Sequence, residues 1–338
     1  MASRPVYLDN QATTPLDRRV LEAMMPFLTD AFGNASSKHH SYGWFAAESV
    51  DVARARLAAL LGATPQEIVF TSGATESNNL ALKGVARRFP GCHIVTQATE
   101  HKAVLDVVGE LEREGHDVTV LGVDEFGRID LDALRAALRS ETRLVSIMHG
   151  NNEIGTVHDL QAIGELCRSN DAFLHTDATQ TAARGPIDLR ELPVDLLSMS
   201  AHKLYGPQGV GALYVRRRAP RVVLEPLVHG GGHERSLRSG TLNVPGIVGL
   251  GAAVGLAERE MVDDAERGRR QRDELERRLL ESIPGLRING PPKRLYCNLN
   301  VAFPGASADA LLLEAREVAA STGSACSSAS LETSHVLR

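Results

Sequence analysis

The sequence predicts an α/β fold, a large domain with a mostly parallel sheet beside a smaller α+β domain. Three observations carry this. Between residues 68 and 199, short β-rich apolar runs alternate with helical runs, the pattern of a parallel sheet with helices on both faces. Near Gly246 the alternation gives way to one long charged helical stretch. And 338 residues, 43% of them hydrophobic, exceed what one ordinary core holds. The large domain is expected over residues 16–250, and residues 1–15 with 251–338 make the smaller one.

Taken in order, helical apolar spacing runs through Val20, Leu21, Met24, Phe27 and Leu28. A second helix covers Ala46–Leu61 and stops at Gly62, a residue suited to the left-handed turn past a helix end. Strands follow at Ile68–Thr71, His93–Thr96, Val118–Leu121, Leu144–Met148, Ala172–Thr176 and Asp195–Met199. Helices between them are expected at Ser77–Arg88, Val104–Glu114, Leu131–Arg139 and Leu160–Arg168. The long helix runs from Val248 to about Ser282, with Glu266, Arg270, Glu274 and Arg277 on a charged face. A strand at Asn298–Phe303, a helix near Asp309–Arg316 and a Ser/Gly/Ala-rich segment around Cys326 complete the chain.

Composition narrows the function. A net charge of -5 and a pI near 6.2 are not the footprint of a nucleic-acid binder. No stretch approaches the ~18 apolar residues of a membrane span. Residues Met1–Tyr7 lack the apolar core of a secretory signal. Cys92, Cys167, Cys297 and Cys326 form no C-x-x-C pair and no disulfide framework. A reducing interior fits them, with the cytoplasm expected and the mitochondrial matrix the alternative.

In a parallel sheet, ligands bind beyond the carboxyl ends of the strands. The polar residues there are the candidates. After Ile68–Thr71 comes Ser72-Gly73-Ala74-Thr75-Glu76 at a helix start. Its backbone N–H groups, with the hydroxyl of Thr75, make an anion cradle; an ordinary capped helix would look the same. Asp177 follows an apolar strand, placed to hold a protonated ring nitrogen, with Gln180 three residues on; the competing role is a helix N-cap. Lys203 follows Ser200-Ala201-His202 and precedes Tyr205-Gly206-Pro207. A lysine in an enclosed turn can form a Schiff base, while one in an open turn is a plain surface charge. Ser200 and His202 add phosphate donors. His101, in Thr99-Glu100-His101-Lys102, can stack on a flat ring and move protons, or simply cap a helix. Asn152 is offered to a substrate carboxylate or a cofactor oxygen. Cys326 lies among small residues, Ser321 to Ser330, where an exposed mobile thiol suits a sulfur carrier.

The ordered motifs Tyr7-Leu8-Asp9-Asn10-Gln11-Ala12-Thr13-Thr14-Pro15, Phe70-Thr71-Ser72-Gly73-Ala74-Thr75-Glu76-Ser77-Asn78-Asn79, Thr99-Glu100-His101-Lys102, Asn151-Asn152-Glu153-Ile154-Gly155, His202-Lys203-Leu204-Tyr205-Gly206-Pro207, His229-Gly230-Gly231-Gly232-His233-Glu234, Arg238-Ser239-Gly240-Thr241 and Gly323-Ser324-Ala325-Cys326 span the chain. In them the sequence resembles the cysteine desulfurases of the class V aminotransferase family, of the housekeeping iron–sulfur-assembly type. The resemblance implies the pyridoxal-phosphate-dependent aspartate-aminotransferase-like fold with a seven-stranded-type sheet, and pyridoxal 5'-phosphate (PLP) as cofactor. It implies that Lys203 carries PLP, that His101 stacks on its ring and assists proton transfer, and that Asp177 and Gln180 hold the ring nitrogen and phenolic oxygen. Ala74, Thr75, Ser200 and His202 would bind the phosphate, with Thr241 reaching the phosphate of the neighbouring subunit of a homodimer. Cys326 would become the persulfide, and is also the position for a transient iron–sulfur cluster ligand.

The substrate implied is L-cysteine, converted to alanine, with an iron–sulfur scaffold or another sulfur-acceptor protein as partner; tRNA thiolation is a second destination for the sulfur. A selenocysteine lyase shares the fold and cofactor, and a catalytically impaired paralogue acting as a scaffold is the alternative from another class. Members resembling this chain continue for several tens of residues past the position of Arg338. The arginine that binds the substrate carboxylate belongs to that part, so no position here inherits its role, and an exposed edge or apolar patch is expected on the smaller domain.

Overall fold

The computed structural model describes residues 4–323 and 334–338. A short strand β1 (Val6–Tyr7) precedes two helices, α1 (Arg18–Leu28) and α2 (Ser41–Leu60). Asp17 caps α1 by accepting the Arg19 N–H at 2.8 Å, and the His40 ring caps α2 through the Gly43 N–H at 3.3 Å. The alternating region then runs β2 (Ile68–Thr71), α3 (Ala74–Arg88), β3 (His93–Gln97), α4 (Lys102–Arg113), β4 (Asp117–Leu121), α5 (Leu131–Ala137), β5 (Thr142–Ser146), α6 (Leu160–Ser169), β6 (Phe173–Asp177), β7 (Leu196–Ser200) and β8 (Gly211–Val215). The long helix α7 (Val244–Ser282) leads to β9 (Arg287–Asn289), β10 (Asn300–Ala302), α8 (Ala308–Glu314) and β11 (Val318–Ala319).

Seven strands form one sheet in the order β2-β8-β7-β6-β5-β3-β4. The α/β expectation with a mostly parallel seven-stranded sheet is met. β8 runs antiparallel to both β2 and β7, and the remaining pairs are parallel. The sequence reading did not expect β8. Its residues Gly-Ala-Leu-Tyr-Val follow a tight turn and open on Gly and Ala, residue types of low strand propensity, so no β-rich run announces it. β7 and β8 are joined by residues 201–210, a connection that suits an antiparallel neighbour rather than a helical crossover.

Period-two alternation explains why both faces of this sheet are apolar. In β2, Ile68 and Phe70 join one core with α1, α2, α6 and α7, while Val69 joins a second core with α3 and α4. Buried polar residues inside the sheet are paired across it. The His93 ring joins Thr142 of β5 (2.8 Å) to Thr119 of β4 (2.9 Å), and the His175 ring joins Ser146 of β5 (2.8 Å) to Ser198 of β7 (3.0 Å). Burial pushes His175 down to about 4, so its ring is neutral and bonds as donor on one side and acceptor on the other.

Outside this sheet, β1 pairs with β11 in parallel and β9 with β10 antiparallel. The helix expected from Val248 begins earlier, at Val244, where Asn243 accepts the Gly246 N–H at 3.1 Å. The first part of α7 is buried against α1 and α2 through Val244, Ile247, Leu250 and Val254. None of α8's residues is buried, and its Leu313 is 70% exposed. Among the described residues, no helix is long and apolar enough to cross a membrane.

Two packing features are testable. A Cβ on Gly211 would lie 2.5 Å from the Met199 carbonyl oxygen and 2.7 Å from Gly73 Cα, both backbone atoms that cannot move aside. Gly211→Ala should therefore lower unfolding free energy by about 1–3 kcal/mol. Gly109→Ala, in open space on α4, should raise it by about 0.5–1 kcal/mol; urea titration of both variants checks the contrast.

Glu100 is the second feature. It is fully buried, with Oε1 accepting the Gln97 side-chain amide (3.0 Å) and the Met148 N–H (2.5 Å). Burial pushes its carboxyl up to about 8, from 4.5 in an open chain. The folded form thus keeps a proton that the unfolded form has shed, and stability falls as pH rises between these values. Glu100→Gln should flatten that fall; an equal loss of melting temperature from pH 5 to 9 in variant and wild type would contradict the assignment.

Candidate active site

Parallel strands deliver their carboxyl ends to one edge, and a cleft of about 1240 Å³ lies there. Its anion cradle begins at Gly73, whose φ of 152° is open to glycine and strained for other residues. Gly73 hands β2 over to α3, and the close approach of Gly211 fixes its position. Glu76 Oε2 accepts the Ser72 N–H at 2.7 Å, and the Thr71 and Ser77 hydroxyls pair at 2.8 Å, so the turn is held from both sides. The N–H groups of Ala74 and Thr75 open the helix and have no partner inside it. Ser200 and His202 line the same cleft from the end of β7. The His202 ring contacts the Thr13 hydroxyl at 3.1 Å, and burial, helped by the charge of Lys203, pushes it down to about 4.

Asp177 closes β6. Its Oδ2 accepts from Asn78 Nδ2 at 2.7 Å and its Oδ1 from the Thr179 N–H at 2.9 Å. The N-cap role is not what it performs, because no helix begins there among the described residues. Asn78 was not singled out from the sequence, although it lies one helical turn past Ala74 and so faces the crevice. Its Oδ1 is buried without a partner. Gln180 donates from Nε2 to the Gln11 carbonyl at 2.9 Å.

His101 takes the helix-capping role and also lines the cleft. Its Nδ1 accepts the Ala103 N–H at 3.0 Å and so caps α4. That bond leaves Nε2 as the nitrogen that can carry the proton in the neutral ring. Burial, with the nearby charge of Lys203, lowers its pKa, and Asp177 works in the opposite sense. Asn151 is wholly buried; it donates to the Thr99 carbonyl and accepts the N–H groups of Glu153 and Ile154. This fixes the turn that presents the half-buried Asn152 to the cleft.

Lys203 ends the short 3₁₀ turn after β7. Its Nζ donates to the carbonyl of Ala12 at 2.8 Å and to that of Gln11. The N-terminal arm thereby crosses the cleft and is pinned there. Thr14 strengthens the crossing: its N–H and hydroxyl both bond the His202 carbonyl at 2.9 Å, and its hydroxyl accepts the Tyr205 N–H at 2.8 Å. Arg184 joins the same junction. It donates to the Lys203 carbonyl (2.7 Å), Gln180 Oε1 (3.2 Å) and Cys297 Sγ (3.1 Å). Neither Arg184 nor Cys297 was marked by sequence reasoning, and no local pattern around them would have done so.

The cleft thus gathers Ala74, Thr75, His101, Asn152, Asp177, Gln180, Ser200, His202 and Lys203. Thr241 is exposed and does not line the cleft of its own chain. Cys326 lies outside the described residues. The residues flanking that segment, Thr322, Gly323 and Ser334, border the cleft, and the Ser321 hydroxyl is tied to Asp9 Oδ2 at 2.6 Å.

A family model for class-V aminotransferases matches residues 6–338. Cysteine desulfurase IscS of Neisseria meningitidis strain FAM18 is 54% identical over 337 residues, covering 99% of this chain and 83% of the relative. The protein of the same name from Haemophilus influenzae strain KW20 is 54% identical over 339 residues, with the same coverage of 99% and 83%. Among solved structures, a NifS-like protein superposes with a TM-score of 0.91 at 39% identity, covering 98% of this chain and 88% of that one. A structure described as SspA in complex with cysteine gives 0.88 at 40% identity, covering 98% and 93%. The chain belongs to the class-V aminotransferase family, on its cysteine desulfurase branch.

Proposed function

We propose that this protein is a PLP-dependent cysteine desulfurase. It takes sulfur from L-cysteine, releases L-alanine and leaves a persulfide on Cys326, from which an iron–sulfur scaffold or another acceptor protein is supplied. The observation that carries the reading is the convergence of Lys203, His101 and Asp177 in one cleft beside a glycine-opened anion cradle.

The residues fit the cofactor. Each carboxylate oxygen of Asp177 accepts one described N–H bond and keeps capacity for a pyridinium N–H. Asn78 Oδ1, buried and unpartnered beside it, offers a further acceptor. The N–H groups of Ala74 and Thr75, with Ser200 and His202, suit a phosphate. When bound, PLP supplies an electron sink for the charge left at the substrate Cα.

The chain's own groups do the rest. The Lys203 amine would hold the cofactor and, once released from it, would accept the substrate Cα proton at Nζ. His101, neutral and fixed through Nδ1, exchanges protons at Nε2. Gln180 and Asn152 orient the oxygens of cofactor and substrate. The Cys326 thiolate attacks the substrate sulfur. The C–S bond breaks with its electron pair going to carbon, which takes up protons to become alanine.

Two further parts belong to the same reading. The large domain, 16–250, supplies the strand-end residues, and the smaller one, 1–15 with 251–338, covers the cleft. The working unit is a homodimer in the cytoplasm, with Thr241 completing the partner's phosphate site. Phe32, Tyr42, Trp44 and Phe45, exposed by 70%, 50%, 58% and 50%, support such an interface.

Three variants test the assignment. Lys203→Ala should lower alanine formation by about 10²–10⁴-fold, the usual worth of a positioned base, and abolish the visible absorbance of the bound cofactor. Cys326→Ser should abolish persulfide labelling and sulfide release from cysteine. His101→Ala should bind PLP yet form alanine roughly 10²-fold more slowly. Turnover of selenocysteine with none of cysteine would contradict the reading.

A further inference from the structure

The segment from Val228 to Thr241 is built around backbone that side chains disfavour. Glu234, Arg235 and Ser236 are three consecutive non-glycine residues with φ of 47°, 58° and 65°. Such strain persists only where surroundings over-determine it, and it clusters at functional sites. The restraint here is specific. The Glu234 carboxylate, 6% exposed, accepts the Phe70 N–H at 2.7 Å and both terminal nitrogens of Arg54 at 2.8 and 2.6 Å. Arg235 donates to the Ile68 carbonyl. The segment is therefore riveted to β2, the strand that leads into the anion cradle.

A second rivet lies nearer Thr241. Arg238 Nε donates to Glu76 Oε1 at 2.8 Å, and both side chains are largely shielded, 23% and 19% exposed. The other oxygen of Glu76 takes the Ser72 N–H and so shapes the cradle turn. One ion pair therefore braces the chain's own cradle and also fixes the backbone three residues before Thr241. The backbone between them is held as well: the Ser239 N–H bonds the Val228 carbonyl at 3.2 Å, and the Gly240 N–H bonds His233 Nδ1 at 3.3 Å.

We infer that Arg238 and Glu76 are a positioning pair that couples the two phosphate sites of the dimer. This rests on the proposed reading that the cradle at Ala74 and Thr75 holds PLP phosphate and that Thr241 reaches the partner's phosphate. Within that reading, loss of the pair disturbs two sites at once. The chain's own cradle loses the brace on Glu76, and the partner's site loses the aim of Thr241. Loss of the Thr241 hydroxyl, by contrast, disturbs the partner's site alone.

Mixed dimers separate these effects. Differently tagged chains are coexpressed so that one wild-type chain pairs with one variant chain, and PLP loss into a scavenger is followed by visible absorbance. With Thr241→Ala, half of the cofactor should leave about tenfold faster, the scale of one lost charge-assisted hydrogen bond, and half at the wild-type rate. With Arg238→Ala, all of it should leave faster. Arg238→Lys, which keeps the charge but not the guanidinium geometry, should be intermediate at both sites, and carries the test if Arg238→Ala lowers the melting temperature of the apo dimer. Fast loss from only one site, or from none, in both Arg238 mixed dimers overturns the coupling. No acceleration in the Thr241→Ala mixed dimer overturns the two-subunit reading itself, and the coupling with it.

Discussion

Parallel strands buried on both faces can offer their polar groups only at their ends. In this protein β7, β6, β5 and β3 all run the same way, and β2 runs with them because β8 is antiparallel to both of its neighbours. Everything chemical follows from that shared direction. Ser72 to Thr75, His101, Asn152, Asp177 and Ser200 to Lys203 each lie at or shortly past a carboxyl end, and none is brought there by a long excursion. The interior below them is made compatible with burial by two histidines, His93 and His175, whose rings join hydroxyl-bearing residues on the strands at either side. A neutral imidazole offers one donor and one acceptor, so each ring satisfies two neighbours at once.

The strand ends alone leave the cleft open. The N-terminal arm closes it by giving its backbone carbonyls to Lys203 and its Thr14 hydroxyl to the backbone on either side of that lysine. Arg184 holds the same junction from the other side, tying the Lys203 carbonyl to Gln180 and to Cys297. Lysine and arm are far apart in sequence, so the geometry at Nζ exists only in the folded chain.

How much of this was legible beforehand depended on how local each signal is. The helices and six of the seven large-sheet strands follow from hydrophobic period, and their bounds shift by only a few residues. β8 escaped because it opens on Gly211 and Ala212, residue types of low strand propensity, straight after a turn. The strand-end residues were legible as positions, since an apolar run followed by Asp177 or Lys203 places those groups at the crevice whatever their role. His101 shows the limit: capping and cofactor contact both fit its sequence context, and the fold commits only Nδ1, to the cap. Asn78, Gln11 and Arg184 were not legible as site residues, because their partners are brought near only by the tertiary fold.

The central claim is that the amine held by the N-terminal arm is the one that binds PLP. Borohydride reduction of the PLP-loaded protein, followed by peptide mass spectrometry, tests it directly by making the lysine–cofactor linkage permanent. The account predicts a single phosphopyridoxyl label, on Lys203. A label on Lys102, Lys83 or any other lysine, or none at all in protein that retains PLP, would contradict it.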